Sequence, residues 1–202
     1  MGFMKTIRNR LIQGMSDLTR FIQYGDLPTW YYVKKGMKVG ERFDRQSGTR
    51  LDISNCWLIE IGNNVVLANR VQLLAHDDSA EQLCGYRKIG KIIIGNDVFI
   101  GANSLVLPGV TIGDDCVIGA GSVVTKSVPA NSVAVGVPAK VVGTTAEYRK
   151  KIQEDIELAR KDGRMLDIQY DIHCRPDRDI TQFQLDADKR YYFKIARFCD
   201  EQ

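Results

Sequence analysis

From Ile94 to Pro129 the chain repeats itself every six residues: IGNDVF, IGANSL, VLPGVT, IGDDCV, IGAGSV, VTKSVP. The leading positions, Ile94, Ile100, Val106, Ile112, Ile118 and Val124, are all branched aliphatics. Four of them are followed by glycine (Gly95, Gly101, Gly113, Gly119), and the position four after each leader is small or short: Val98, Ser104, Val110, Cys116, Ser122, Val128. A period of six does not match an α-helix, and the glycines together with Pro108 and Pro129 would be costly inside one. Simple alternation in a strand would not keep a glycine one place after the leader. If each hexad is a short strand plus a corner, three hexads close a triangular coil, and stacked coils point their leaders at a common axis. Branched residues suit such a pleated, buried surface. The small fourth residue fits where the turn crowds the axis, and glycine is expected to supply corner dihedrals that a side chain would forbid.

The array starts imperfectly at Val39 (VGERFD, RQSGTR, LDISNC) and becomes regular at Ile61 with IGNNVV, LANRVQ and LLAHDD. Ile61 and Ile94 are 33 residues apart, which is not a multiple of six, so a segment between them leaves the coil. The candidate is DSAEQLCGYRKIGK, Asp78 to about Lys91, with Gly85 as its breaker. A loop thrown out of a repeat scaffold is a usual carrier of function.

The flanks read differently. Met4 to Tyr24 is predicted as a helix with Ile7, Leu11, Met15, Leu18 and Ile22 on one stripe, a packing helix in preference to one lying on a membrane surface. Pro28 ends it, and Trp30, Tyr31 and Tyr32 are expected to cover the open end of the coil stack. Beyond Gly143, Tyr148, Ile152, Ile156 and Ala159 have helical spacing before Gly163, and the tail motif KRYYFKIARF reads as strand or helix. Three regions follow: 1–38 as helix and cap, 39–143 as the repeat domain with its excluded loop at about 78–91, and 144–202 as a C-terminal extension. A hydrophobic fraction of 44% and a charged fraction of 26% are those of an ordinary soluble protein, and a net charge of +3 without a Lys/Arg block gives no nucleic-acid footprint. The first residues lack the apolar core of a signal peptide, and nothing approaches a membrane span. Five scattered cysteines without CxxC spacing fit reduced thiols in a cytoplasmic protein.

The run from His76 to Gly143, with its hexads, the histidine immediately before the excluded loop and the ending VTKSVPANSVAVGVPAKV, resembles the hexapeptide-repeat acyltransferases. Within them it is similar to acetyltransferases of sugars and surface-polysaccharide units, of the galactoside and maltose type. The resemblance covers roughly Val39 to Gly143. It implies a left-handed parallel β-helix, an exception to the right-handed crossover rule, a homotrimer with active sites between subunits, and acetyl-CoA as donor.

Acetyl transfer from a thioester to a hydroxyl needs a base, an oxyanion donor and a grip on the carrier. Imidazole, with an ordinary pKa of about 6.5, is the natural base. The chain has His76 and His173. His76 matches the family's catalytic histidine, whereas His173, beyond the repeats, reads as an ordinary surface or packing residue. Asp52 is the candidate carboxylate near the acceptor and the base. Asp77 and Asp78 are the alternatives, although their place at the loop entry favours turn formation. The resemblance assigns the backbone N–H of Ala102 to the thioester oxygen and leaves room for the pantetheine arm at Ala102 and Ala120. It puts Thr125, Lys126 and Lys140 at the carrier's nucleotide end and phosphates.

The expected activity is therefore direct, His-assisted transfer from acetyl-CoA to a hydroxyl of a sugar or polysaccharide precursor. The alternatives are N-acetylation of an amino sugar and a non-catalytic β-helix scaffold. No metal is expected, since zinc-dependent proteins of this fold need three histidines per site, and neither nucleic acid nor stable membrane insertion is implied.

Overall fold

The computed structural model describes residues 25–162 and two further short strands, Met165–Leu166 and Phe193–Lys194, which pair in parallel. The helix expected over Met4–Tyr24, together with His173, Cys174, Cys199 and most of the tail, lies outside the described residues. The chain divides into two units, Met1–Ala146 and Glu147–Gln202.

In the first unit, strands of two or three residues fall in turn on three parallel faces. The first face holds Lys38–Val39, Ile59–Ile61, Ile92–Ile94 and Thr111–Ile112. The second holds Asp44–Arg45, Val66–Leu67, Phe99–Ile100 and Val117–Ile118, and ends in a hairpin of Ser132–Gly136 with Ala139–Thr144. The third holds Arg50–Leu51, Gln72–Leu73, Leu105–Val106 and Val123–Val124. Ile100 pairs with Ile118 and Val106 with Val124, a step of 18 residues, so three hexads make one coil. This is the three-sheet repeating arrangement of a left-handed parallel β-helix, as the sequence implies.

The column of leaders is the core: Leu67, Leu73, Ile100, Val106, Ile112, Ile118 and Val124 are fully buried, and each contributes about 1.5–3 kcal/mol of apolar burial. The fourth positions are buried as well, polar ones included. Ser104 Oγ donates to the Gly119 carbonyl at 3.0 Å and accepts from Ser122 N at 3.3 Å, so its hydroxyl is satisfied inside the column.

The glycines after the leaders do a different job from the one expected. None of Gly95, Gly101, Gly113 and Gly119 has a positive φ; the left-handed residues stand two places later, among them Asp97, Asn103, Asp115 and Gly121. What glycine supplies is room. A Cβ on Gly101 would lie 2.4 Å from Ala120 N in the next coil, which forbids any side chain. On the corner between the first and second faces, Asn63, Asn96 and Asp114 form a ladder: Glu41 N donates to Asn63 Oδ1 at 2.8 Å, Asn63 N to Asn96 Oδ1 at 2.9 Å and Asn96 N to Asp114 Oδ1 at 2.6 Å.

The register departs from 18 at one corner, the passage from the third face to the first. Leu51 pairs with Leu73, and Leu73 with Val106, steps of 22 and 33 residues. The additions lie between Leu51 and Ile61, where a 3-10 turn, Cys56–Leu58, is inserted, and between Leu73 and Ile94. The open end is closed by helix α1, Thr29–Lys34, whose Tyr32 is buried over the Arg45 guanidinium at 5.5 Å. Arg45 occupies a leader position and donates to Thr29 Oγ1 at 3.1 Å. Burial pushes the Tyr32 phenol above its ordinary pKa, so it caps as a neutral ring. Trp30, by contrast, is 62% exposed.

A 17-residue helix, Thr145–Lys161, leads into the second unit and ends with Arg160 and Lys161 in its last turn, the favourable sign at a helix C-terminus. Among the described residues no helix is long and apolar enough to cross a membrane, and Cys56, Cys84 and Cys116 are free thiols.

Candidate active site

Both insertions meet at the same corner, and each opens on a chemically active side chain. Asp52 directly follows the third-face strand Arg50–Leu51 of the first coil, and His76 follows Gln72–Leu73 of the second. The Asp52 carboxylate is almost completely shielded. Its Oδ2 accepts a hydrogen bond from His76 Nδ1 and another from Ala75 N at 3.0 Å, while Oδ1 accepts from Asn55 N at 3.0 Å. Ala75 N and Asn55 N both donate to the carboxylate, so its contact with His76 calls for the proton on Nδ1, and in that tautomer the lone pair is on Nε2, on a ring still 28% exposed. A base oriented by a buried carboxylate and open on its far nitrogen is the arrangement that proton abstraction from a hydroxyl requires.

The segment beyond His76 is a folded arm. His76–Asp77 pairs antiparallel with Lys88–Ile89, and helix α2, Ser79–Cys84, forms its tip before Gly85 turns the chain in the left-handed conformation. Asp77 is a turn former: its Oδ1 accepts from Ser79 N at 2.9 Å, a bond that holds its carboxyl below the usual range. Asp78 approaches His76 Nε2 only to 3.8 Å and is claimed by Arg87, whose Nε lies 2.6 Å from its Oδ1. Arg87 and Asn55 escaped notice in the sequence. Asn55 was signalled by the register break after Leu51, which marks the same corner as the loop after His76.

The remaining expected residues lie elsewhere on the prism. Thr125 and Lys126 are exposed on the corner that carries His76, two coils further along, which is about 10 Å at the ordinary strand spacing. Ala102 and Ala120 follow second-face strands and stack on the preceding corner, where Gly121 N donates to the Ala102 carbonyl at 2.8 Å. Lys140 is exposed in the hairpin that ends the second sheet. Because Ile100 pairs with Leu67, Ala102 stacks over Asn69, seven residues before His76. At about 3.3 Å per residue this separates Ala102 from the base by roughly 20 Å along one face. One chain thus brings Asp52 and His76 together and does not bring Ala102 to them.

The two buried thiols among the described residues are held as neutral groups. Burial pushes the Cys56 and Cys116 thiols up, and Cys116 donates to the Pro129 carbonyl at 3.1 Å.

The profile of the family described as hexapeptide repeat of succinyl-transferase matches residues 91–126. Protein CapG of Staphylococcus aureus is 46% identical over 112 residues, 54% of this chain and 65% of that protein, so the match spans slightly less than two thirds of its length. YvoF of Bacillus subtilis, a provisionally named acetyltransferase, is 33% identical over 156 residues, 77% of this chain and 87% of that protein. Galactoside O-acetyltransferase of Escherichia coli is 38% identical over 140 residues, 67% of each chain.

Proposed function

Since this chain belongs to the hexapeptide-repeat acetyltransferase family, we propose that it transfers acetyl from acetyl-CoA to a saccharide hydroxyl, with His76 as base and Asp52 as its orienting carboxylate. The observation that carries this reading is the shielded Asp52 carboxylate on His76 Nδ1, which leaves Nε2 as the ring nitrogen turned to an acceptor.

The reaction is a direct displacement. Nε2 takes the proton of the acceptor hydroxyl as its oxygen bonds to the thioester carbon. The charge gathering on the thioester oxygen is met by the N–H of Ala102, an interaction whose removal typically costs a few kcal/mol of barrier. Collapse breaks the C–S bond, and the proton held on Nε2 passes to the departing thiolate. An acetyl ester and free coenzyme A leave, and His76 is neutral again. Asp52 keeps its hydrogen bond to Nδ1 and stabilises the transient imidazolium.

The separation of Ala102 from His76 within one chain supports a homotrimer in which each site takes its base from one subunit and its oxyanion donor from the next. Thr125 and Lys126, exposed on the fourth coil, and Lys140, exposed in the terminal hairpin, are the grip for the carrier's nucleotide end and phosphates.

Release of coenzyme A, followed by a thiol reagent in the presence of saccharide acceptors, tests this reading. His76→Ala is expected to lower kcat by about a thousandfold while the protein stays folded and trimeric. Unchanged turnover in that variant would remove His76 from the chemistry.

A further inference from the structure

The third face carries a cleft of about 400 Å³ lined by Gly48, Arg50, Arg70, Gln72 and Asn103, within the size range of small-molecule sites. Arg50 and Gln72 are register partners on the outer surface of that sheet, exposed while Leu51 and Leu73 beside them point inward. Gly48, Arg70 and Asn103 stack on the adjoining corner, all with left-handed backbone, φ 76°, 60° and 59°. The bare Gly48 holds the cleft open, because a Cβ there would stand 3.0 Å from Arg70 Cγ.

Arg70 is out of place by conformational preference. The other left-handed positions on this corner are Gly48, Asn103 and Gly121, residue types that tolerate the region, whereas a long side chain there costs about 1–2 kcal/mol. Neither Arg50 nor Arg70 makes an ion pair among the described residues. Two guanidinium groups around one cleft repel each other, and an anion between them relieves that repulsion. Their planar forks match carboxylate and phosphate oxygens in pairs, and the Gln72 and Asn103 amides add the neutral partners that hydroxyls need.

The cleft adjoins the dyad of its own chain: Asp52 follows Arg50 by two residues, about 7 Å along the strand, and His76 follows Gln72 by four. Lys126 belongs to the fourth coil, whereas Arg50 and Arg70 belong to the first and second. The arginines therefore stand at the other end of the stack from the cation assigned to the carrier's phosphates.

Resting on the transferase reading for the identity of the ligand as acceptor, we infer that the saccharide acceptor is acidic, and that Arg50 and Arg70 hold its carboxylate or phosphate in this cleft. A neutral galactoside would leave both guanidinium groups without a counter-charge.

Calorimetric titration of the full chain distinguishes the possibilities. The probes are a galacturonic acid trimer as carboxylate source and UDP-N-acetylglucosamine as phosphate source, each beside its neutral counterpart, maltotriose or N-acetylglucosamine. Wild type, Arg50→Gln, Arg70→Gln and, as a control for lost surface charge, Lys34→Gln are compared, and each is also titrated with acetyl-CoA. At least one acidic probe is expected to bind tenfold or more tightly than its neutral match. Either arginine variant should lose that preference by tenfold or more, with acetyl-CoA affinity changed less than twofold and Lys34→Gln unaffected. The acidic probe that wins identifies the anion's source. Equal binding of acidic and neutral probes, or unchanged binding in both arginine variants, overturns the inference. So does a loss of acetyl-CoA affinity in the arginine variants, which would assign the pair to the carrier. If an acidic probe binds through the arginines and wild type binds no acetyl-CoA, the anion site stands and the transferase reading falls.

Discussion

At the scale of single residues, the orientation of one imidazole is what the site depends on. Asp52 is surrounded by donors, Ala75 N, Asn55 N and His76 Nδ1, so its charge and acceptor character are both in use. In Asp52→Asn a single amide oxygen faces three donors: turned to Asn55 N, it puts the NH₂ in the place of Oδ2, against both His76 Nδ1 and the Ala75 N–H, and turned the other way it puts the NH₂ against Asn55 N. In the first orientation the imidazole has to accept on Nδ1 and carry its proton on Nε2, the wrong tautomer for a base, and in both the carboxylate charge that stabilises the imidazolium is lost. The expected outcome is a loss of kcat of about a hundredfold to ten-thousandfold with acetyl-CoA affinity retained, read from steady-state kinetics beside a binding titration. A variant of near-normal kcat would show that Asp52 only supports the corner.

At the scale of the element, the hexad is a contract between neighbouring coils. Gly101→Ala puts a methyl 2.4 Å from Ala120 N and should destabilise the protein by about 2 kcal/mol or more. Gly121→Asn should be nearly neutral, because Gly121 has open space around its Cβ position and shares its left-handed conformation with Asn103 one coil below. Urea denaturation of both variants checks the contrast; equal effects would mean that the two glycines serve the same purpose. The coil, its core and His76 were legible in the sequence because Ile, Val and Gly recur at fixed spacing and the spacing fails just after His76. The role of the glycines was misread because a one-dimensional pattern shows that a side chain is missing without showing what stands where it would go. The register break between Leu51 and Ile61 escaped although Val39, Arg45 and Leu51 lead successive hexads, because an arginine among aliphatic leaders made this part of the array read as merely imperfect and not as interrupted. Arg45 is there because the terminal coil is capped by Tyr32 and Thr29 instead of by another coil. The Arg50–Arg70 cleft could not be seen at all, since it joins residues 20 positions apart through the step from one coil to the next.

At the scale of the whole molecule, the account requires more than one chain per site. Ala102 and His76 stand roughly 20 Å apart along one face, so His76→Ala and Ala102→Trp chains, each inactive alone, should complement when co-assembled. Random mixing in a cyclic trimer restores the base to one side and the oxyanion donor to the other in about a quarter of the interfaces, and about a quarter of wild-type turnover is the expected recovery. No recovery in verified mixed trimers would place both groups within one subunit's site. The central claim, that this β-helix handles acetyl-CoA, is tested most directly by calorimetric titration of the purified protein with that donor. Saturable binding at one site per chain is the predicted result, and absence of binding by a folded protein would contradict it.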